Sequence, residues 1–181
     1  MKPIPKKGWF STMSDSTKKL LASSLRELMH KRPLSRITVG DICELCDMNR
    51  KSFYYHFHDK FELVTWIFTH ELNEALAENP RDDQLSVLCS CLHNHAIFYR
   101  TALQQLEQNP LCMCMDDALR PMLAARLTPG IEESDPLALD LCVHAVRSIL
   151  IRWVQGGCMQ SAADFTRTLY HACAQLSRIP A

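Results

Sequence analysis

Residues 37–60 read ITVGDICELCDMNRKSFYYHFHDK, and this stretch decides the fold. Thr38 is a plausible N-cap, with Asp41 three residues on as its capping-box partner. Val39, Ile42, Cys43 and Cys46 then share the inner face of a short helix. Asp47-Met48-Asn49 reads as a turn, and Asn49 is a good cap for a second short helix from Arg50 to about Phe57. Phe53 and Phe57, four apart, read as core anchors. Two helices of this length cannot bury their own apolar faces. They need a platform, and together with one they make a helix-turn-helix whose second helix is free to enter a major groove.

The platform lies just upstream. Ser16 or Thr17 can cap a helix carrying Leu20, Leu21, Leu25, Leu28 and Met29 on one face, which Pro33 ends. Residues 1–15, with two prolines, one glycine and three lysines, are expected to be a flexible basic extension. Downstream, Asp59 can cap a long helix in which Phe61, Val64, Phe68, Leu72 and Ala75 recur at helical spacing up to Asn79-Pro80. Further helices are expected at about 82–107 and 111–127, the latter kinked or split at Pro121. Residues 128–136 read as a loop. Residues 137–155 carry a strong stripe through Val146, Ile149, Leu150 and Trp153 and stop at Gly156-Gly157. Ser161 to Asp164 resembles a capping box opening a last helix, 162–177. No segment alternates as a strand does. The expectation is an all-α protein with an N-terminal three-helix helix-turn-helix domain at 16–60 and a C-terminal helical domain at 61–181.

The chain has 181 residues, 47% hydrophobic and 22% charged, which suits an ordinary globular protein. No apolar run approaches the length of a membrane span, and the basic N-terminus is followed by no apolar stretch, so a cytoplasmic protein is expected. The net charge is zero, yet unevenly distributed. Residues 1–60 hold 12 cations and 6 anions; residues 61–181 hold 8 arginines, no lysine and 14 anions. A basic head can sit on phosphate while an acidic body stays off it. Arg50 and Lys51 stand in the first turn of their helix, against its dipole, which suggests an anionic partner. Ser52, Tyr54, Tyr55 and His56 add donors suited to phosphates or base edges.

Residues 37–60 resemble the DNA-binding segment of TetR/AcrR-type transcriptional regulators, which show a Thr-Val-x-x-Ile opening, a turn, then Phe-Tyr-x-His-Phe and a Lys three residues later. Cys43 and Cys46 replace the usual small Ala, and Asp47 replaces the usual turn Gly, which Asp tolerates at small cost. The doubled tyrosine most resembles the branch related to dihydroxyacetone-kinase regulators. The resemblance implies that Thr38 holds a phosphate and that Asn49, Arg50, Lys51, Ser52 and Tyr55 stand at the groove. It implies that Tyr54 and His56 touch the backbone, and that Lys60 pins a phosphate. It also implies a homodimer, and the wide apolar faces of 137–155 and 162–177 are expected to form it, with Trp153 and Tyr170 as anchors. That dimer would bind a palindromic operator and answer to a small-molecule effector.

The effector site is expected among Cys91, His95, Phe98, Tyr99, Met113 and Met122, as an apolar, Met-rich cavity. Cys89-x-Cys91-x-His93-x-His95 looks like a ligand run, but alternate residues of a helix point about 200° apart, so only pairs four apart share a face. No metal or cofactor is expected. The nine cysteines read as reduced apolar fillers. A Cys/His enzyme would need a glycine-rich elbow or oxyanion loop, and no glycine lies near those residues. A rival reading is a DNA-binding regulator controlled by a protein partner, or by metal or thiol chemistry.

Overall fold

The computed structural model describes residues 7–104, 109–125 and 136–176. These are helical, with no strand among the described residues. The chain divides into two compact units, 1–67 and 68–181.

The first unit starts with α1, Lys7–Lys31. The helix opens nine residues before Ser16, inside the expected flexible extension. The last proline of that extension is Pro5, so no missing N–H bars a helix from Lys7 onward, and Gly8 costs only about 1 kcal/mol. Leu21, Leu25 and Met29 are buried on its inner face, whereas Leu20 points out. A 3-10 turn, Leu34–Arg36, buries Leu34 and leads to buried Ile37. Then come α2, Val39–Leu45, and α3, Arg50–His56, both packed on α1. The long α4, Lys60–Glu78, begins here and ends in the second unit. Asp59 caps it, accepting from the N–H groups of Phe61 and Glu62 at 2.8 Å each. Its first two turns bury Leu63, Val64 and Ile67. That is why the first unit extends past residue 60.

In the second unit, the helix expected over 82–107 is two: α5, Gln84–Asn94, and α6, Ala96–Ala102. The break falls at His95, whose backbone leaves helical geometry (φ −118°, ψ 31°). Asn and His are weak helix formers, and this turn lets adjacent Phe98 and Tyr99 both face inward. By contrast α7, Pro110–Ala124, runs on through Pro121. The proline sits near the C-terminal end, where its missing N–H forfeits one ladder bond. The expected 128–136 loop lies almost wholly outside the described residues.

The last helices are α8, Pro136–Gln155, and α9, Ala162–Leu176. A Schellman motif closes α8: Cys158 N–H donates to Trp153 O and Gly157 N–H to Val154 O, each at 3.0 Å, with Gly157 at φ 81°. Ser161 and Asp164 form the expected reciprocal cap of α9. α7 packs on α8 and α5 on α9. Trp153 stacks on Phe165, with ring centroids 4.1 Å apart, and also meets the His93 ring at 5.9 Å. It is buried within its own chain. Tyr170 donates its hydroxyl to the Asp83 carboxylate. Trp153 is thus turned into its own chain, while Tyr170 stays half-exposed. The large apolar side chains that α8 does turn outward are Leu137 and Leu141.

Candidate nucleic-acid interface

The interface is built by two caps and two phenylalanines. Thr38 Oγ1 accepts from the Asp41 N–H at 3.2 Å, and Asp41 Oδ2 takes the Thr38 N–H at 2.7 Å and its hydroxyl at 2.8 Å. These bonds hold the Asp41 carboxyl below the usual carboxylate range, aided by the Arg32 guanidinium at 3.1 Å. Both polar groups of Thr38 expected to meet a phosphate are thus engaged with Asp41. Asp47 turns the chain in left-handed geometry, φ 52°. Asn49 then caps α3, its Oδ1 accepting from the Ser52 N–H at 2.8 Å and the Ser52 hydroxyl at 3.2 Å. Asn49 and Ser52, both expected at the groove, shape the helix start.

Phe53 and Phe57 are buried, with ring centroids 5.8 Å apart. Phe57 also meets Trp66 edge-on at 5.9 Å. Pinning that side of α3 turns Arg50, Lys51, Tyr54 and Tyr55 outward. Tyr55 is 83% exposed, a high value for a tyrosine with no interior role. The Arg50 side chain lies back over α2, where a Cβ on Gly40 would come within 2.6 Å of its Nη2. His56 is half-buried; burial, then the nearby Lys18 ammonium, push its pKa down, so the ring favours its neutral form. It can donate one hydrogen bond but brings no fixed charge.

Lys60 departs most from expectation. Its ammonium does not project outward. It donates to Leu34 O and Ile37 O, both at 2.7 Å, and to Ser35 O at 3.4 Å. Burial pushes its pKa down, against the pull of Asp59 and Asp41. Sequence reasoning missed this, because the partners lie 23 to 26 residues upstream and are backbone atoms.

The residues expected to hold an effector do not converge. Phe98, Tyr99 and Met122 are buried core, while Met113 is 71% exposed on the outside of α7. Tyr99 donates to Glu71 at 2.6 Å, and the His95 ring stands 3.7 Å from the same carboxylate. Cys91 and His95 do border one groove, of about 410 Å³. Its walls are Glu71, Glu74, Glu78 and Asp82 with serine and asparagine side chains, and it is open to solvent. This groove is polar and acidic, while Met113 lies on the surface and Met122 in the core. Among the described residues no three His, Cys, Asp or Glu side chains are grouped to hold a metal. Burial raises the thiols of Cys43, Cys112, Cys114, Cys158 and Cys173, and that of Cys89 to about 11. Thiols so shifted are poor nucleophiles at neutral pH. No described helix is long and apolar enough to cross a membrane.

Residues 21–65 match the model of the family described as bacterial regulatory proteins, tetR family. Over 88 residues the chain is 30% identical to the HTH-type dhaKLM operon transcriptional activator DhaS of Lactococcus lactis subsp. lactis (strain IL1403), covering 46% of this chain and 47% of that one. Over 78 residues it is 31% identical to the probable HTH-type transcriptional regulator ArpR of Pseudomonas putida, covering 41% and 37%. The matches thus span about half or less of these relatives' length. A solved structure of the dihydroxyacetone kinase operon activator DhaS superposes with a TM-score of 0.62 at 20% identity, covering 91% of this chain and 98% of that one, so the fold is shared almost end to end.

Proposed function

We propose, from the match of residues 21–65 to the model of bacterial regulatory proteins, tetR family, that the protein is a transcriptional regulator that reads operator DNA through α3. The carrying observation is the outward row Arg50, Lys51, Tyr54 and Tyr55 on a helix anchored by buried Phe53 and Phe57. On DNA, Arg50 would swing off α2, where its guanidinium lies over Gly40, to reach base edges, Lys51 would meet a phosphate, and the tyrosine hydroxyls would add contacts to the backbone. The regulator works as a homodimer, since a two-half-site operator needs recognition helices about 34 Å apart. Outward Leu137 and Leu141 on α8 support this assembly.

A signal acts on the second unit. It shifts the DNA-binding equilibrium only by as much as it prefers one arrangement of the dimer over another. The open, acidic groove bordered by Cys91 and His95 favours a polar small molecule or a protein partner over a buried apolar guest. The relatives that match are named as regulators of transcription, which supports this reading over a Cys/His enzyme.

The test is selection of bound sequences from a random duplex pool at two salt concentrations. The expected result is a palindrome with half-sites about one helical turn apart. Arg50→Ala should then cost about 1–3 kcal/mol and relax one position of each half-site. Binding without a consensus that vanishes in moderate salt would sink the proposal.

A further inference from the structure

We propose that Lys60 is a positioning residue that locks the entry to α2 onto the start of α4, and not a contact to DNA phosphate. The proposal rests on the DNA-reading function above for its consequence, but not for its geometry. An ammonium has three N–H donors and no acceptor. Here those donors face three carbonyls, of Leu34, Ser35 and Ile37. All three belong to the 3-10 turn and the residue that follows it, and Ile37 immediately precedes Thr38, the cap of α2. Leu34 O also accepts the Ile37 N–H at 3.1 Å, so the Lys60 ammonium is a second donor there and reinforces the turn's own hydrogen bond. A single charged side chain therefore gathers the chain between α1 and α2 and ties it to the first residue of α4. A phosphate at Lys60 would have to pull its ammonium off these oxygens. Exposed Lys51 has no such obligation to the fold among the contacts described.

The two roles make opposite demands on substitutions. A phosphate contact accepts Arg as readily as Lys, whereas a compact cluster of three carbonyls suits a point charge and not a planar fork. Loss of a phosphate contact weakens all DNA equally and lowers the salt slope of binding by about one unit. Loss of a positioning residue leaves the slope and spoils discrimination.

The test begins on the unmodified protein without DNA. Brief acetylation, read by mass spectrometry, should label Lys60 at least about tenfold more slowly than Lys51, as expected of an ammonium held by hydrogen bonds. Adding the selected duplex should slow Lys51 and leave Lys60 unchanged. Lys60→Met and Lys60→Arg should both melt lower than the parent. On the selected duplex both should lose affinity while a scrambled duplex binds as before, with the parent's salt slope retained. The inference is overturned if Lys60 acetylates as fast as Lys51 and gains protection from DNA. It is overturned equally if Lys60→Arg keeps the parent's melting temperature and affinity while Lys60→Met loses one unit of slope on every duplex. If the parent selects no consensus, the function fails by itself, and the acetylation rates and melting temperatures still decide the role of Lys60 in the fold.

Discussion

Thr38 and Asp41 answer each other through three hydrogen bonds, and the consequence is measurable one side chain at a time. Thr38→Val keeps the shape and removes the hydroxyl, so it should cost about 1 kcal/mol in thermal unfolding, the usual worth of an N-cap. The Asp41 carboxyl is more acidic folded than unfolded. Its contribution to stability is therefore fully present above the ordinary carboxylate value and is lost as pH falls through the lower folded value. Asp41→Asn should flatten the acid limb of a melting-temperature profile in that window and leave the neutral region's pH dependence unchanged. An acid limb identical to the parent's would show that Asp41 carries no linkage. His56 works with the same sign at higher pH: its neutral form is favoured in the fold, so protonation below its ordinary range opposes folding.

Helix ends were more legible than helix breaks. Asn49, Asp59, Ser161 and the Gly156-Gly157 pair all act where the sequence placed them, because a cap is decided by three or four neighbouring residues. The break at His95 was invisible, since nothing local forbids a helix there and the turn follows from packing both Phe98 and Tyr99 inward. Trp153 is packed inside its own chain for the same reason: amphipathic spacing marks an apolar face without saying which partner covers it. The recognition helix was legible because Phe53 and Phe57 fix its buried side and so its exposed one. Lys60 was not, its partners being distant backbone carbonyls. The Schellman motif offers a check at this scale. Gly157→Ala forces a Cβ into left-handed geometry and should destabilise by about 1 kcal/mol, with DNA affinity unaffected when measured well below the melting temperature.

For the molecule as a whole, charge and assembly carry the remaining predictions. The zero net charge conceals an excess of six cations in residues 1–60 and of six anions beyond. Affinity for DNA should therefore fall steeply with salt despite the neutral average. The proposed dimer would bury the outward leucines of α8, 64% and 62% exposed in the single chain. Leu141→Glu should weaken a dimer about ten- to a hundredfold by sedimentation, on the scale of one buried leucine lost. Its unfolding transition, measured at a concentration where both proteins are monomeric, should stay near the parent's. A variant that sediments as the parent does would place the dimer contact elsewhere.

The two units also differ in the light they would emit. Trp153 is buried and packed against Phe165 and His93, and its indole N–H finds no acceptor among the described residues. Its fluorescence should lie toward the blue. Trp66 stands half-exposed beside Phe57, with the Lys18 ammonium 5.9 Å from its ring, and should emit further to the red. With Trp9→Phe removing the third indole, the protein carries one native optical reporter in each unit. DNA arriving at α3 and a signal arriving at the second unit can then be watched separately in the same cuvette, without attaching a dye.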